Sequence, residues 1–439
     1  MKQVEIDTST MTFTRDGRPF FYMADTAWMA FSNLSLDEWE EYAGFRKAQG
    51  FTALQISILP ILNDTSTGSQ TVLPFAMKNG KMDFSARNEG YFEKAGAMLE
   101  IMTEKGLVPA LVVLWNNYIP GSWASEQIGN ISVMEESSLP EYAEYVTAKF
   151  SRFNPVYIIS GDTKFDTETV TRYYSIMLEE IKKRNPFSLT TMHINPSAEI
   201  PPPIRDSASL DFYMFQSGHG GGDTDSPFTL AEKFSNYPAR KQTADGGTVP
   251  VKRPVVNGEP CYEGHGYGWD YPRWSAFEVR RAVWQSLLSG AKAGFTYGAH
   301  GIWMFQGKGM TFGSEGFSGA PFLWREALQF EGAWDVSWAK WLFERYGFRL
   351  LEPNQALIEG PSQIRAAASP DLSLIAIYIP SARRVVIRSD LGGYDTCLHL
   401  LDRRRAVSPS PESGGGVTVL PMAGYNTDAL FVAERIRSP

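Results

Sequence analysis

Two acidic residues, Asp162 and Glu259, each stand where an apolar run stops. Pro155-Val156-Tyr157-Ile158-Ile159-Ser160-Gly161 leads into Asp162, and Pro254-Val255-Val256-Asn257-Gly258 leads into Glu259, which Pro260 follows. Proline cannot continue a hydrogen-bonded ladder, so the second run reads as a buried strand that ends at its carboxylate. An acid so placed sits on a rigid element and faces a cleft. Two of them across one pocket meet the needs of glycosidic bond hydrolysis: one carboxyl protonates the departing oxygen while the other attacks the anomeric carbon. Their surroundings must then push their pKa values apart, with the proton donor in the drier or more negative setting. A plainer reading of Asp162 is a helix cap, because an acid in the loop before a helix often serves that way.

Other polar and aromatic residues fall at the same kind of place. Asp25, Trp115, Asn116, His193, Gln216, His219 and His300 all lie at or just after the ends of expected strands. Four of the five histidines (His193, His219, His265 and His300) gather in these loops. Asp25 is expected to bind paired sugar hydroxyls, and the histidines to bond hydroxyls or the nucleophile. Trp115 and Trp303 offer flat apolar faces for the C–H side of a sugar ring, with core packing as the alternative for both. Among rival acids, Asp166 and Glu168 sit farther into the next helix. Glu263 lies beyond Pro260, where support for the site or contact with a sugar hydroxyl suits it better than attack.

The elements that would position these residues alternate strand with helix. Strands are expected at 20–24, 51–58, 107–114, 155–161, 188–192, 210–216, 254–258 and 294–299, with helices between them. Ser35 and the acids after it start the first helix, and Gly50 stops it. Eight such repeats imply an α/β chain folded as a (β/α)₈ barrel, whose loops at the C-terminal strand ends would ring one pocket. A doubly wound open sheet is the weaker alternative, since no glycine-rich phosphate turn follows the first strand. A hairpin turning at Asp16-Gly17 precedes the barrel, and the stretch 63–82 reads as a loop. After about Gly347 short strands separated by turn residues suggest a β-sandwich, with 411–416 as a flexible loop. The expected division is therefore 1–346 for the barrel and 347–439 for the sandwich.

Totals narrow the possibilities. The chain has 439 residues, 43% of them hydrophobic, 12 tryptophans and a net charge of −8 with no long basic run. Nucleic acid and anionic membrane are poor partners for such a surface. Cys261 and Cys397 form no disulfide framework and no metal cluster, and Cys261 reads as a packing residue. The first seven residues lack an apolar signal core, so a cytoplasmic location is expected. No cofactor is called for. Two rival functions stay open: a carbohydrate-binding barrel without turnover, and a metal-dependent barrel hydrolase, although strand one lacks the histidines such enzymes place there.

Four motifs carry a resemblance: Ala24-Asp25-Thr26-Ala27-Trp28, Ser160-Gly161-Asp162, Gln216-Ser217-Gly218-His219-Gly220 and Asn257-Gly258-Glu259-Pro260-Cys261-Tyr262-Glu263-Gly264. Together they resemble the apiosidase-like glycoside hydrolases of glycoside hydrolase family 140, distantly similar to the clan A barrels. The resemblance implies a retaining exo-acting enzyme that releases a terminal sugar such as β-apiose. It also implies Asp162 as acid/base after strand four, Glu259 as nucleophile after strand seven, and a sandwich packed on the barrel. Two departures stand out. The wider clan has Asn-Glu where this chain has Gly161-Asp162, and Ser160 occupies a position where glycine is expected.

Overall fold

Strands buried on both faces and separated by helices leave no edge to solvent if the sheet closes on itself. In the computed structural model, which describes residues 2–436 apart from 69–70, 222, 243–246, 269 and 423–427, the sheet does close. The eight strands are Tyr22–Thr26, Ala53–Ser57, Val108–Trp115, Val156–Gly161, Thr190–Thr191, Tyr213–Gln216, Val255–Glu259 and Gly294–Tyr297. Neighbours pair in parallel. The seam between strands five and six is sealed by a parallel bridge from His193 to Met214, and the Thr191 hydroxyl donates to the Phe212 carbonyl at 2.8 Å.

The helices begin where their sequences offer caps. Ser35 with Glu38 and Ser275 with Glu278 form capping boxes at the first and seventh helices, Leu36–Ala48 and Ala276–Leu288. The fourth helix, Glu168–Arg184, is capped by the Thr167 hydroxyl and ends in Lys182, Lys183 and Arg184, which complement the helix dipole. The cap at this helix is thus Thr167 and not Asp162. The eighth helix, Glu331–Tyr346, ends at Gly347, whose φ of 68° suits a residue without Cβ.

Several expectations are corrected. Strand one runs through Asp25 to Thr26, so Asp25 lies within the barrel wall and not beyond it. The N-terminal segment is a three-stranded meander, Val4–Asp7, Thr12–Arg15 and Arg18–Phe20, and not a single hairpin. The stretch 63–82 contains strand Phe75–Lys78, which turns at Asn79-Gly80 into Lys81–Arg87; φ values of 53° and 76° there make the turn the kind that matches strand twist. In the same stretch Ser66–Thr67 pairs with Thr311–Phe312, tying the loop after strand two to the loop after strand eight. Residues 411–416 are ordered as well, because Glu412–Gly414 pairs with Val417–Leu420 about a Gly415-Gly416 turn.

The C-terminal strands form a six-stranded and a four-stranded antiparallel sheet, face to face. Strand periodicity assigns each side chain its side. In Leu374–Ile379, the residues Leu374, Ala376 and Tyr378 join the barrel core, while Ile375, Ile377 and Ile379 join the sandwich core. The seventh helix lies on this sheet. Its Arg280 is buried between Asp335, at 2.8 Å, and Asp428, at 3.0 Å. Among the described residues no helix is long and apolar enough to cross a membrane.

Candidate active site

Asp162 and Glu259, which end strands four and seven, line one cleft at the C-terminal mouth of the barrel. The cleft, a cavity of about 70 Å³, is walled by Trp28, Trp115, Trp123 and Trp303.

Asp162 is held through its own backbone. Its φ of 48° lies in the left-handed region, which Asp and Asn tolerate better than other residues with a Cβ. Its amide donates to His193 Nδ1 at 3.0 Å, and its carbonyl accepts from Asn116 Nδ2 at 2.8 Å and Trp123 Nε1 at 3.2 Å. On the side chain, Asn195 Nδ2 donates to Oδ1 at 3.3 Å. Gly161, just before it, leaves room for Trp115: a Cβ there would come within 2.1 Å of the indole ring. Ser160, at the position where glycine was expected, donates its hydroxyl to the His193 carbonyl at 2.9 Å and so steadies the histidine backbone.

Glu259 is surrounded by donors. Gln216 Nε2 donates to Oε1 at 2.8 Å, and His193 Nε2 lies 3.0 Å from Oε2. Because His193 Nδ1 accepts the Asp162 amide, a neutral His193 carries its proton on Nε2, facing Glu259. His219 Nδ1 is 3.7 Å from Oε1. Trp28 Nε1 donates to the Tyr262 hydroxyl at 2.8 Å, and that hydroxyl in turn bonds to Glu259.

These settings drive the two carboxyls apart. Burial, reinforced by the nearby charge of Glu259, lifts Asp162 from 3.8 to about 7. Burial also works to raise Glu259, but the His193 hydrogen bond, the two histidines and Tyr262 outweigh it, so Glu259 is held below its usual 4.5. At mildly acidic pH one group is a carboxylic acid and its neighbour a carboxylate.

Several expected contacts do not face the cleft. Asp25 is fully buried 2.5 Å from the equally buried Arg46, and it also accepts from Tyr42 and from the Thr26 amide. It cannot bind sugar hydroxyls, because the chain itself occupies its acceptor sites. Arg46 in turn sits among the rings of Tyr42, Phe51 and Tyr297 and donates to Gln49. Replacing Asp25 by Ala strands this guanidinium in the core and is expected to cost about 3–5 kcal/mol in urea unfolding. Asp25→Leu combined with Arg46→Met should recover most of the loss, and a cost below about 1 kcal/mol for Asp25→Ala would count against the pairing.

Glu263 also turns away. Its backbone bridges to Ala299, and its carboxylate accepts from the Tyr297 hydroxyl at 2.7 Å and the Gly332 amide at 2.9 Å. It lines a separate cavity with Phe277 and Phe330. His300 is buried and kept neutral, its pKa lowered by burial to about 4, with Nε2 at the Gly319 carbonyl and Nδ1 toward Trp303. Asn116 and His193 reach Asp162 and Glu259 from behind, outside the cleft lining. Trp115, Gln216, His219 and Trp303 do line it.

Trp28, Tyr262, Trp123, Asn195, Asn63 and Asp64 also belong to the site or contact it, beyond the residues expected from the sequence. Trp28 and Tyr262 stand inside motifs that were singled out, so their signal was present. Asn63, Asp64 and Asn195 lie in loops and Trp123 opens the short helix Trp123–Gln127, and no composition pattern marks any of them.

A family model described as the apiosidase-like catalytic domain matches residues 8–349. Among curated protein sequences none is significantly similar to the chain. Among solved structures, one described as a glycoside hydrolase has 19% identity and a TM-score of 0.79, covering 100% of this chain and 98% of that one. A glycoside hydrolase family 5 protein from Bacteroides vulgatus has 19% identity and a TM-score of 0.80, with 99% and 93% covered. These structural likenesses extend over barrel and sandwich alike and speak for the fold. The family match spans the barrel and every residue of the cleft. The chain belongs to the apiosidase-like family of glycoside hydrolases.

Proposed function

We propose that this glycoside hydrolase is a retaining, exo-acting enzyme that removes a terminal furanoside, β-apiose or a close relative, from plant-type glycans or glycosides. The observation that carries this reading is two buried strand-end carboxyls lining one cleft, with Gln216 and His193 gathered on Glu259 alone, so that burial lifts Asp162 to about 7 while Glu259 is lowered. Asp162 gives its proton to the glycosidic oxygen as Glu259 attacks the anomeric carbon, forming a covalent glycosyl-enzyme. Asp162, now ionised, takes a proton from water as the water attacks the same carbon and frees Glu259. His193, Gln216 and Tyr262 fix the attacking oxygens, and the tryptophan walls offer faces for the sugar ring.

The test is the configuration of the first-formed sugar, followed by NMR on aryl apiofuranoside and arabinofuranoside substrates. Retention is expected, and inversion would overturn the mechanism. The pH profile gives a second check. Turnover needs Asp162 protonated and Glu259 ionised, so kcat/KM should stay high down to below pH 4.5 and fall tenfold per unit above about pH 7. A profile still rising above pH 8 would contradict the assignment of Asp162.

A further inference from the structure

The loop after barrel strand two brings Asn63 and Asp64 into the wall of the cleft. One carboxylate oxygen of Asp64 and the amide oxygen of Asn63 are shut off from water without a hydrogen-bond partner. The same holds for Gln216 Oε1, whose orientation is fixed because Nε2 is committed to Glu259. Buried polar atoms in folded proteins are usually partnered, and these three acceptors, with the unpartnered His219 Nδ1, gather in the lining of one cleft. Burial raises the Asp64 pKa above the usual carboxylate value; in its ionised form the group can only accept, so its partner brings hydroxyl or N–H donors. Among the described residues that line the cleft none is a lysine or arginine, while three are acids. An anionic sugar would meet repulsion there, and a neutral polyol would not.

The loop is also braced. The Ser314 hydroxyl bonds to the Asp64 carboxylate, and the Ser66–Thr67 pairing with Thr311–Phe312 holds the chain directly beyond it.

We propose that Asp64, with Asn63 beside it, binds the hydroxyls of a neutral terminal sugar and sets which sugar the enzyme accepts. This inference rests on the glycosidase reading above, and its test separates the two. The probes are 4-nitrophenyl β-D-apiofuranoside and its 2-deoxy and 3-deoxy counterparts, assayed with the parent enzyme, Asp64→Ala, Asp64→Asn and Glu259→Ala. A site built to bond a hydroxyl discriminates strongly against loss of that bond, so Asp64→Ala should lower kcat/KM on the full sugar about 10²-fold or more. On the deoxy sugar that lacks the hydroxyl facing Asp64, parent and variant should agree within about threefold, since the contact is already gone. Asp64→Asn keeps the shape without the charge and should fall between parent and Asp64→Ala on the full sugar. Equal losses on all three sugars, or a loss below about threefold on the full sugar, would overturn the proposal. If Glu259→Ala is inactive while both Asp64 variants match the parent, this inference alone fails. If Glu259→Ala turns over like the parent, the glycosidase reading of the pair fails and this one with it.

Discussion

Glu259→Ala should abolish turnover, lowering kcat on an aryl glycoside by about 10⁴-fold or more, as removal of an attacking group does in other covalent enzymes. On the proposed mechanism the neighbouring acid cannot make up the loss, because Asp162 there serves as the proton donor on the other side of the bond to be broken. The substitution also leaves three donors, on His193, Gln216 and Tyr262, pointing at a vacated space. A small anion should settle among them, so added azide is expected to restore part of the rate on activated substrates. The product would then be a glycosyl azide of configuration opposite to that of the substrate. Rates within tenfold of the parent, or an azide product of unchanged configuration, would remove Glu259 from its assigned role.

The second large effect depends on the leaving group. Asp162→Ala is expected to slow hydrolysis of alkyl glycosides by about 10²–10⁴-fold, the usual worth of a positioned proton donor. On a 2,4-dinitrophenyl glycoside the departing phenolate needs no proton, so the first step should be nearly unaffected. The second step loses its base, and the intermediate should accumulate as a burst of dinitrophenol before a slow steady state. The decline of activity above about pH 7 should vanish as well, because the group responsible for it is gone. Equal losses across all leaving groups would mean that Asp162 shapes the site without moving a proton.

Much of the architecture could be read from residue order. Apolar runs broken by polar residues marked the barrel strands, and Ser35 and Ser275 marked helix starts because their capping chemistry is local. Strand limits were less legible. Strand five pairs over only Thr190–Thr191, since its position depends on neighbours far away in sequence. The Asn79-Gly80 turn carried a hairpin signal, but the polar stretch around it obscured the strands.

The site divides along the same line. Asp162 and Glu259 both end strands, and the barrel brings such positions together whatever their roles. Asp25 has the same local grammar, yet Arg46, on the following helix, claims it. No local pattern tells an acid that will meet a buried cation from one that will meet a ligand. Glu263 was misplaced for a similar reason: the Gly332 amide that captures it belongs to a helix start 69 residues later. Asp64 escaped notice because only the folded loop, closed against the chain beyond strand eight, turns it toward Glu259.

The two-faced strand Leu374–Ile379 bears on how such enzymes diversify. One sheet of the sandwich joins the hydrophobic core around the seventh helix of the barrel, and Arg280 is neutralised partly by Asp335 of the barrel and partly by Asp428 of the sandwich. The two halves are therefore not interchangeable cassettes. A recombination joining this catalytic half to an unrelated appendage would expose an oily flank and leave an arginine short of its counter-ion. Descent should transmit both halves as one heritable unit, with novelty confined to the rim loops.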